Sequence, residues 1–182
     1  MAIICIDPGH GGRDPGTVSG STYEKEIALN ISYFANLFLR RAGHSIVMTR
    51  KEDIFVKLSS RVRIAEYKKS DFFISIHCNA HEKKVYNGME IHVRSFPTMG
   101  DLSLAHYMNK SMTIFFPDHR QRGIKKSNFH VLRENKRPSV LVETEFLSNK
   151  EGRKFLIKVQ NQQRLGKCIA DGAMRYIRHM AE

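Results

Sequence analysis

The sequence predicts an α/β fold built on a mainly parallel sheet. Three observations lead there. Short apolar runs alternate with longer segments of helical period along the chain. The run that contains FFISI is apolar on both faces, as a strand in the middle of a parallel sheet must be. A length of 182 residues with 41% apolar content is enough for one domain with its own core.

The elements follow in order. Ala2–Ile6 (AIICI) reads as a buried strand, and the Gly-, Asp- and Pro-rich stretch Asp7–Ser21 as a loop. From Tyr23 to Ala42, the residues Ile27, Ile31, Phe34, Ala35, Phe38 and Leu39 recur at helical spacing, and Gly43 supplies the stop. Ser45–Thr49 is a second strand, Leu58–Lys69 a helix, and Asp71–His77 the third, central strand. Gly88–Arg94 alternates as a strand does. Leu102–Phe116 reads as a helix, Pro117–Asn128 as a polar loop, and Phe129–Arg133 and Ser139–Glu143 as short strands. Glu151–Val159 and Gln163–His179 are the closing helices. No repeat, linker or low-complexity segment interrupts this pattern, so residues 1–182 are read as one domain.

Composition narrows the partners. No stretch approaches the ~20 apolar residues of a membrane span. The opening MAIICID lacks a basic region followed by an apolar run and a cleavage site, so no signal peptide is expected and the export route stays open. Lys and Arg number 30 against 18 Asp and Glu, a net charge of +12 that favours polyanionic partners such as an anionic wall polymer. The basic pairs are dispersed, without zinc-finger spacing or an aromatic-basic pattern, so no nucleic-acid partner is expected. The three cysteines are odd in number and far apart, which argues against a disulfide framework. Cys5 and Cys168 read as small buried apolar side chains, and Cys78 is expected on the face opposite His77.

In open α/β sheets, functional residues gather beyond the carboxyl ends of the strands. Here DPGHGG follows the first strand and places His10 in a glycine-rich loop; the third strand ends on His77, and the last on Glu143 in LVETEFLSN. Glu24 opens the long helix. Two histidines and a carboxylate are a standard ligand set for a catalytic zinc whose fourth position is left to water. A further carboxylate near that water can take its proton and pass it to a leaving amine. Each residue also has a plain structural reading: His10 as a turn residue, Glu24 as a complement to the helix dipole, His77 as a hydrogen-bonded core histidine. Glu26 lies about 200° around the helix from Glu24 and cannot share its direction. His81 falls beyond the strand and reads as surface. DPGHGG lacks the spacings of the phosphate-binding loops.

Four segments then carry a resemblance. IDPGHGGRDPG, YEKEIALNIS, FFISIHCNA and NFHVLRENKRPSVLVETEFLSN, in this order, resemble the zinc-dependent N-acetylmuramoyl-L-alanine amidases of the third amidase family, which include bacterial autolysins, cell-separation amidases and phage endolysins. The resemblance covers nearly the whole chain. It implies a single α/β domain whose twisted, mostly parallel sheet is flanked by helices on both faces. It implies one zinc ion per chain held by His10, Glu24 and His77, with Glu143 as the catalytic residue. The reaction would be hydrolysis of the amide between the lactyl group of N-acetylmuramic acid and the L-alanine of the stem peptide. The substrate would be peptidoglycan, the place of action the bacterial cell wall, and the working form a monomer. Two rival readings are an inactive wall-binding module, which would lack one of the four residues, and a zinc peptidase cutting within the stem peptide.

The chain departs from the family in one motif. It reads ETEF, with Glu145 where the family usually has glycine. Residues two apart on a strand share a face, so Glu145 is a candidate to join Glu143 in the cleft; otherwise the chain has left the strand and Glu145 is solvated. Asn79 is a candidate to orient a ligand, His130 to line the substrate groove, and Arg133 to meet a substrate carboxylate. Arg61, in SSRVRIAEY, matches a recurrent family arginine, with a helix-surface salt bridge as its alternative. Little chain separates Gly88-Met89 from Ser139, which predicts a site without the inserted inhibitory helix of some relatives.

Overall fold

The computed structural model describes residues 1–181. The chain runs β1 (Ile3–Pro8), a small hairpin of β2 (Val18–Ser19) and β3 (Thr22–Tyr23), α1 (Glu24–Arg41), β4 (Ser45–Met48), α2 (Leu58–Tyr67) and β5 (Phe72–Asn79). It continues through β6 (Met89–Arg94), α3 (Met99–Phe115), β7 (Gln121–Ser127), α4 (His130–Arg133), β8 (Ser139–Phe146), α5 (Lys150–Leu156) and α6 (Val159–Met180). Six strands form one sheet in the order β4-β1-β5-β8-β6-β7. β4, β1, β5 and β8 are mutually parallel; β6 pairs antiparallel with β8, and β7 follows β6 in parallel. The carboxyl ends of β1, β5 and β8 therefore open at one margin of the sheet.

Side-chain alternation divides the core into two layers. Ile4, Ile6, Phe72, Ile74, Ile76, Val140 and Val142 face α1, α3 and α6 in the larger cluster. Cys5, Phe73 and Leu141 face the other way, onto Val62 and Ala65 of α2 and Val131 and Leu132 of α4. Helices thus flank both faces, as the sequence predicts. All three cysteines are free and buried, and Cys78 belongs to the α1 side, away from the His77 face. Gly43 ends α1 with φ of 86°, in the region glycine adopts without strain.

Several elements differ from the sequence expectation. Pro117–Asn128 is not a loop: it holds β7, whose Ile124, Lys125 and Lys126 are exposed, so no buried alternation marks it. Phe129–Arg133 is not a strand, because the consecutive residues Val131 and Leu132 both turn into the same core cluster, which a helical turn permits and a strand does not. α3 begins before its apolar period. Thr98 and Asp101 form a reciprocal capping box there, and Asp101 also pairs with Arg94. β8 runs on past Glu143 to Phe146. Arg61 is not on a helix surface; it is 2% exposed and paired with Asp7 at 2.8 Å.

The larger layer depends on a close crossing of α1 and α6. A Cβ at Gly166 would lie 2.5 Å from Phe34 Cβ, 2.8 Å from Ala35 N and 2.9 Å from Ile31 O. Two of these are backbone atoms that cannot swing aside. Gly166→Ala is expected to destabilise the protein by about 1–3 kcal/mol through overpacking, outweighing the gain in helix propensity of up to ~1 kcal/mol. Urea denaturation checks this; an unchanged or raised midpoint contradicts it.

Candidate active site

At the open margin, three side chains converge. His10 follows β1, Glu24 is the first residue of α1, and His77 lies near the end of β5. His10 Nε2 and His77 Nδ1 lie 3.1 and 3.0 Å from the same atom, Glu24 Oε1. One donor atom from each residue falls within 4.8 Å of the others. Two imidazole nitrogens and a carboxylate oxygen, drawn from separate segments onto one point, form a donor set that fits a divalent cation with an open position.

The local backbone explains the convergence. His10 has φ of 60°, a left-handed conformation costing of order 1–3 kcal/mol for a residue with a side chain. Gly9 lets the loop lie against His77, since a Cβ there would stand 2.3 Å from the imidazole. Gly16 does the same for its neighbours, with a Cβ 2.6 Å from His10 Cδ2 and 2.7 Å from Glu24 Oε2. Glu24 accepts from the backbone amides of Thr17 (2.8 Å) and Cys78 (3.0 Å). Asp14, which sequence reasoning missed, lies 2.9 Å from His10 Nδ1 through Oδ2. That bond fixes the tautomer and turns Nε2 toward Glu24. The signal was present in HGGRD, where a carboxylate stands four residues after the histidine, but only the turn that pairs Gly11 with Asp14 brings it back.

Electrostatics favour a cation here. Burial alone would raise the Glu24 carboxyl, but hydrogen bonds and charge from His10 and His77 hold it far below the usual carboxylate range. Burial would lower His10; Glu24 and then Asp14 overcome this and raise it above 6.5. Glu143 moves the opposite way from Glu24. Burial, then the Glu24 and Glu90 carboxylates, push it well above 4.5. Among the described residues, its Oε2 is buried without a hydrogen-bond partner.

The site opens into a cleft of about 730 Å³. Phe55, Val56, Leu58, Phe129, His130, Val131, Leu141 and Glu143 are among the residues that line it. His10 and His77 keep 24% and 18% side-chain exposure, so the site is reached from solvent. His130 and Asn79 both line the cleft. The Asn79 amide goes to Glu90, not to a histidine or Glu24, and Glu90 is held by Arg122 and His92. Glu90 faces Glu143 directly across β6 and β8. Arg133 is outside the cleft lining; its guanidinium pairs with Glu134 and Asn128. Glu26 and His81 are exposed.

Glu145 does not join Glu143. The register jumps from His77↔Glu143 to Asn79↔Phe146, so β8 bulges and alternation breaks between the two glutamates. Nor is Glu145 solvated: it is 3% exposed, accepts from the backbone amides of Gly88 and Phe146, and meets His119.

The sequence model of the N-acetylmuramoyl-L-alanine amidase family matches residues 4–175. The chain is 34% identical over 176 residues to the N-acetylmuramoyl-L-alanine amidase LytC of Bacillus subtilis (strain 168), a match covering 96% of this chain and 35% of that protein. It is 30% identical over 218 residues to the amidase AmiC of Neisseria meningitidis serogroup B, covering 96% and 52%. The chain thus spans about a third to a half of the length of these two relatives. The catalytic domain of the amidase CwlV from Bacillus (Paenibacillus) polymyxa superposes with a TM-score of 0.92 at 34% identity, covering 98% of this chain and 99% of that one. An N-acetylmuramoyl-L-alanine amidase from Clostridium difficile 630 gives 0.93 at 32% identity, covering 97% of each. With the family model spanning nearly the full chain and the same fold in its solved members, the chain belongs to the N-acetylmuramoyl-L-alanine amidase family.

Proposed function

We propose that residues 1–182 are a catalytic domain that hydrolyses the amide between the lactyl group of N-acetylmuramic acid and L-alanine in peptidoglycan, using one zinc ion. The observation that supports this best is the meeting of His10, Glu24 and His77 in one cleft with the unpartnered carboxyl of Glu143. His10, Glu24 and His77 would hold the zinc. When bound, the ion supplies Lewis acidity, polarising the amide carbonyl and making hydroxide available near neutral pH.

The remaining work falls to the protein's own groups. Glu143 is held above the ordinary carboxyl range, which suits a group that accepts a proton from water and then delivers it to the departing alanine nitrogen. Asp14 keeps the His10 ring in one tautomer. Phe55 and Phe129 line the cleft and offer apolar surface beside the polar groups. All four site residues come from one chain, so a monomer suffices. The +12 charge suits a wall rich in stem-peptide carboxylates and anionic polymers, and membership of the amidase family supports action at the bacterial cell wall. Among the described residues, no helix is long and apolar enough to cross a membrane.

Glu143→Ala is expected to keep one zinc per chain while losing about 10²- to 10⁴-fold in hydrolysis. Metal analysis and the release of L-alanine amines from purified cell walls check both; equal activity in the two proteins sinks the assignment. Metal affinity should also depend on pH with a definite sign. Zinc needs neutral imidazole, and the apo His10 holds its proton above pH 6.5. Affinity should therefore fall as pH drops, beginning at a higher pH than an ordinary imidazole would set, while Glu24 stays ionised. Chelator competition across that range reads the slope, and a flat profile contradicts it.

A further inference from the structure

Two arginines are buried beneath the loop that carries His10. Arg50 and Arg61 are each 2% exposed. Arg61 donates through Nη1 to Pro8 O (2.6 Å), through Nη2 to His10 O (2.6 Å) and through Nε to Val56 O (3.0 Å). Arg50 donates through Nε to Pro8 O (3.1 Å), and through Nη2 to Gly9 O and Lys25 O (both 2.7 Å). The carbonyls of three successive residues, Pro8, Gly9 and His10, are therefore each held by a guanidinium. Arg61 is itself fixed by Asp7, whose carboxylate also accepts from Thr49 (2.5 Å) and Ser75 (2.7 Å).

This arrangement is expensive for a purely structural device. Two cations are buried side by side, and burial together with the nearby Arg61 pulls Arg50 down to about 10. What the two arginines hold is the conformation that most needs holding. His10 is left-handed without being glycine, and the loop runs so near His77 that a Cβ at Gly9 would stand 2.3 Å from the imidazole. Strain of this kind persists only where the surroundings over-determine it. The planar five-donor fork of arginine can grip several carbonyls at once, and lysine cannot.

The geometry points to Arg61 and Arg50, anchored through Asp7, as positioning residues that set the loop backbone so that His10 Nε2 meets Glu24 and His77. The inference rests on the metal-centre reading above. Its consequence is specific: metal affinity depends on guanidinium groups that touch no donor atom of the site.

The test measures zinc affinity by competition with a chromogenic chelator for wild type, Arg61→Lys, Arg50→Lys and Gly166→Ala, with circular dichroism confirming the metal-free fold. Each lysine variant keeps the positive charge but loses carbonyl contacts. Each is expected to bind zinc about 10- to 100-fold more weakly, as loss of supporting contacts around ligands does elsewhere. Arg50 makes no hydrogen bond to Asp7, so it reports on the loop even if Arg61→Lys fails to fold. Gly166→Ala strains the α1–α6 crossing without touching Asp7 or the loop carbonyls; it should lower thermal stability and leave affinity alone. Unchanged affinity in a folded arginine variant, or an equal loss in Gly166→Ala, overturns the positioning role. A wild type that binds no zinc overturns the metal-centre reading and this inference with it.

Discussion

The carboxylate of Glu24 is 3% exposed, and an anion so placed survives only if donors surround it. Each donor here comes from a different stretch of chain. Thr17 and Cys78 give backbone amides, His10 and His77 give ring nitrogens, and α1 begins at Glu24 with its positive end toward the charge. The glycine-rich loop, the end of β5 and the start of α1 are thereby tied to one atom pair. The site is organised around an acid that was buried first and then compensated.

The second constraint is the bulge in β8. Up to Glu143 the strand alternates regularly, with Leu141 and Glu143 facing the cleft. Beyond it the extra residue rotates the chain, and Glu145 uses its oxygens to fasten Gly88 at the start of β6. Two acids two positions apart thus take unrelated tasks. One remains unpartnered in the cleft; the other is a structural acceptor for the backbone amides of Gly88 and Phe146. The like-charged neighbour of Glu143 is Glu90, from the strand beside it, neutralised on its far side by Arg122.

The sequence was most readable where periodicity and burial agree. β1, β5 and α1 follow their apolar pattern closely, and the strand-end rule located His10, His77 and Glu143 before any contact was known. It failed where the deciding contact is tertiary. β7 is exposed along its centre and carries no alternation, and α4 is four residues long, too short for a period to show. Asp14 depends on a turn, and nothing in the neighbourhood of Arg50 or Arg61 announces the carbonyls they bind, although Arg61 matches a recurrent family arginine. The bulge at Glu143 is invisible without the partner register.

The sheet's two margins are unequal. β4 has four residues, whereas β7 has seven and leaves Ile124, Lys125 and Lys126 open to solvent. An unpaired strand edge is a template for another chain, and lysines on it deter that pairing by bringing like charges together when two copies approach. The deterrent is electrostatic, so it lasts only while the lysines are unneutralised. Whatever neutralises Lys125 and Lys126 would leave the β7 edge open to pairing with another strand.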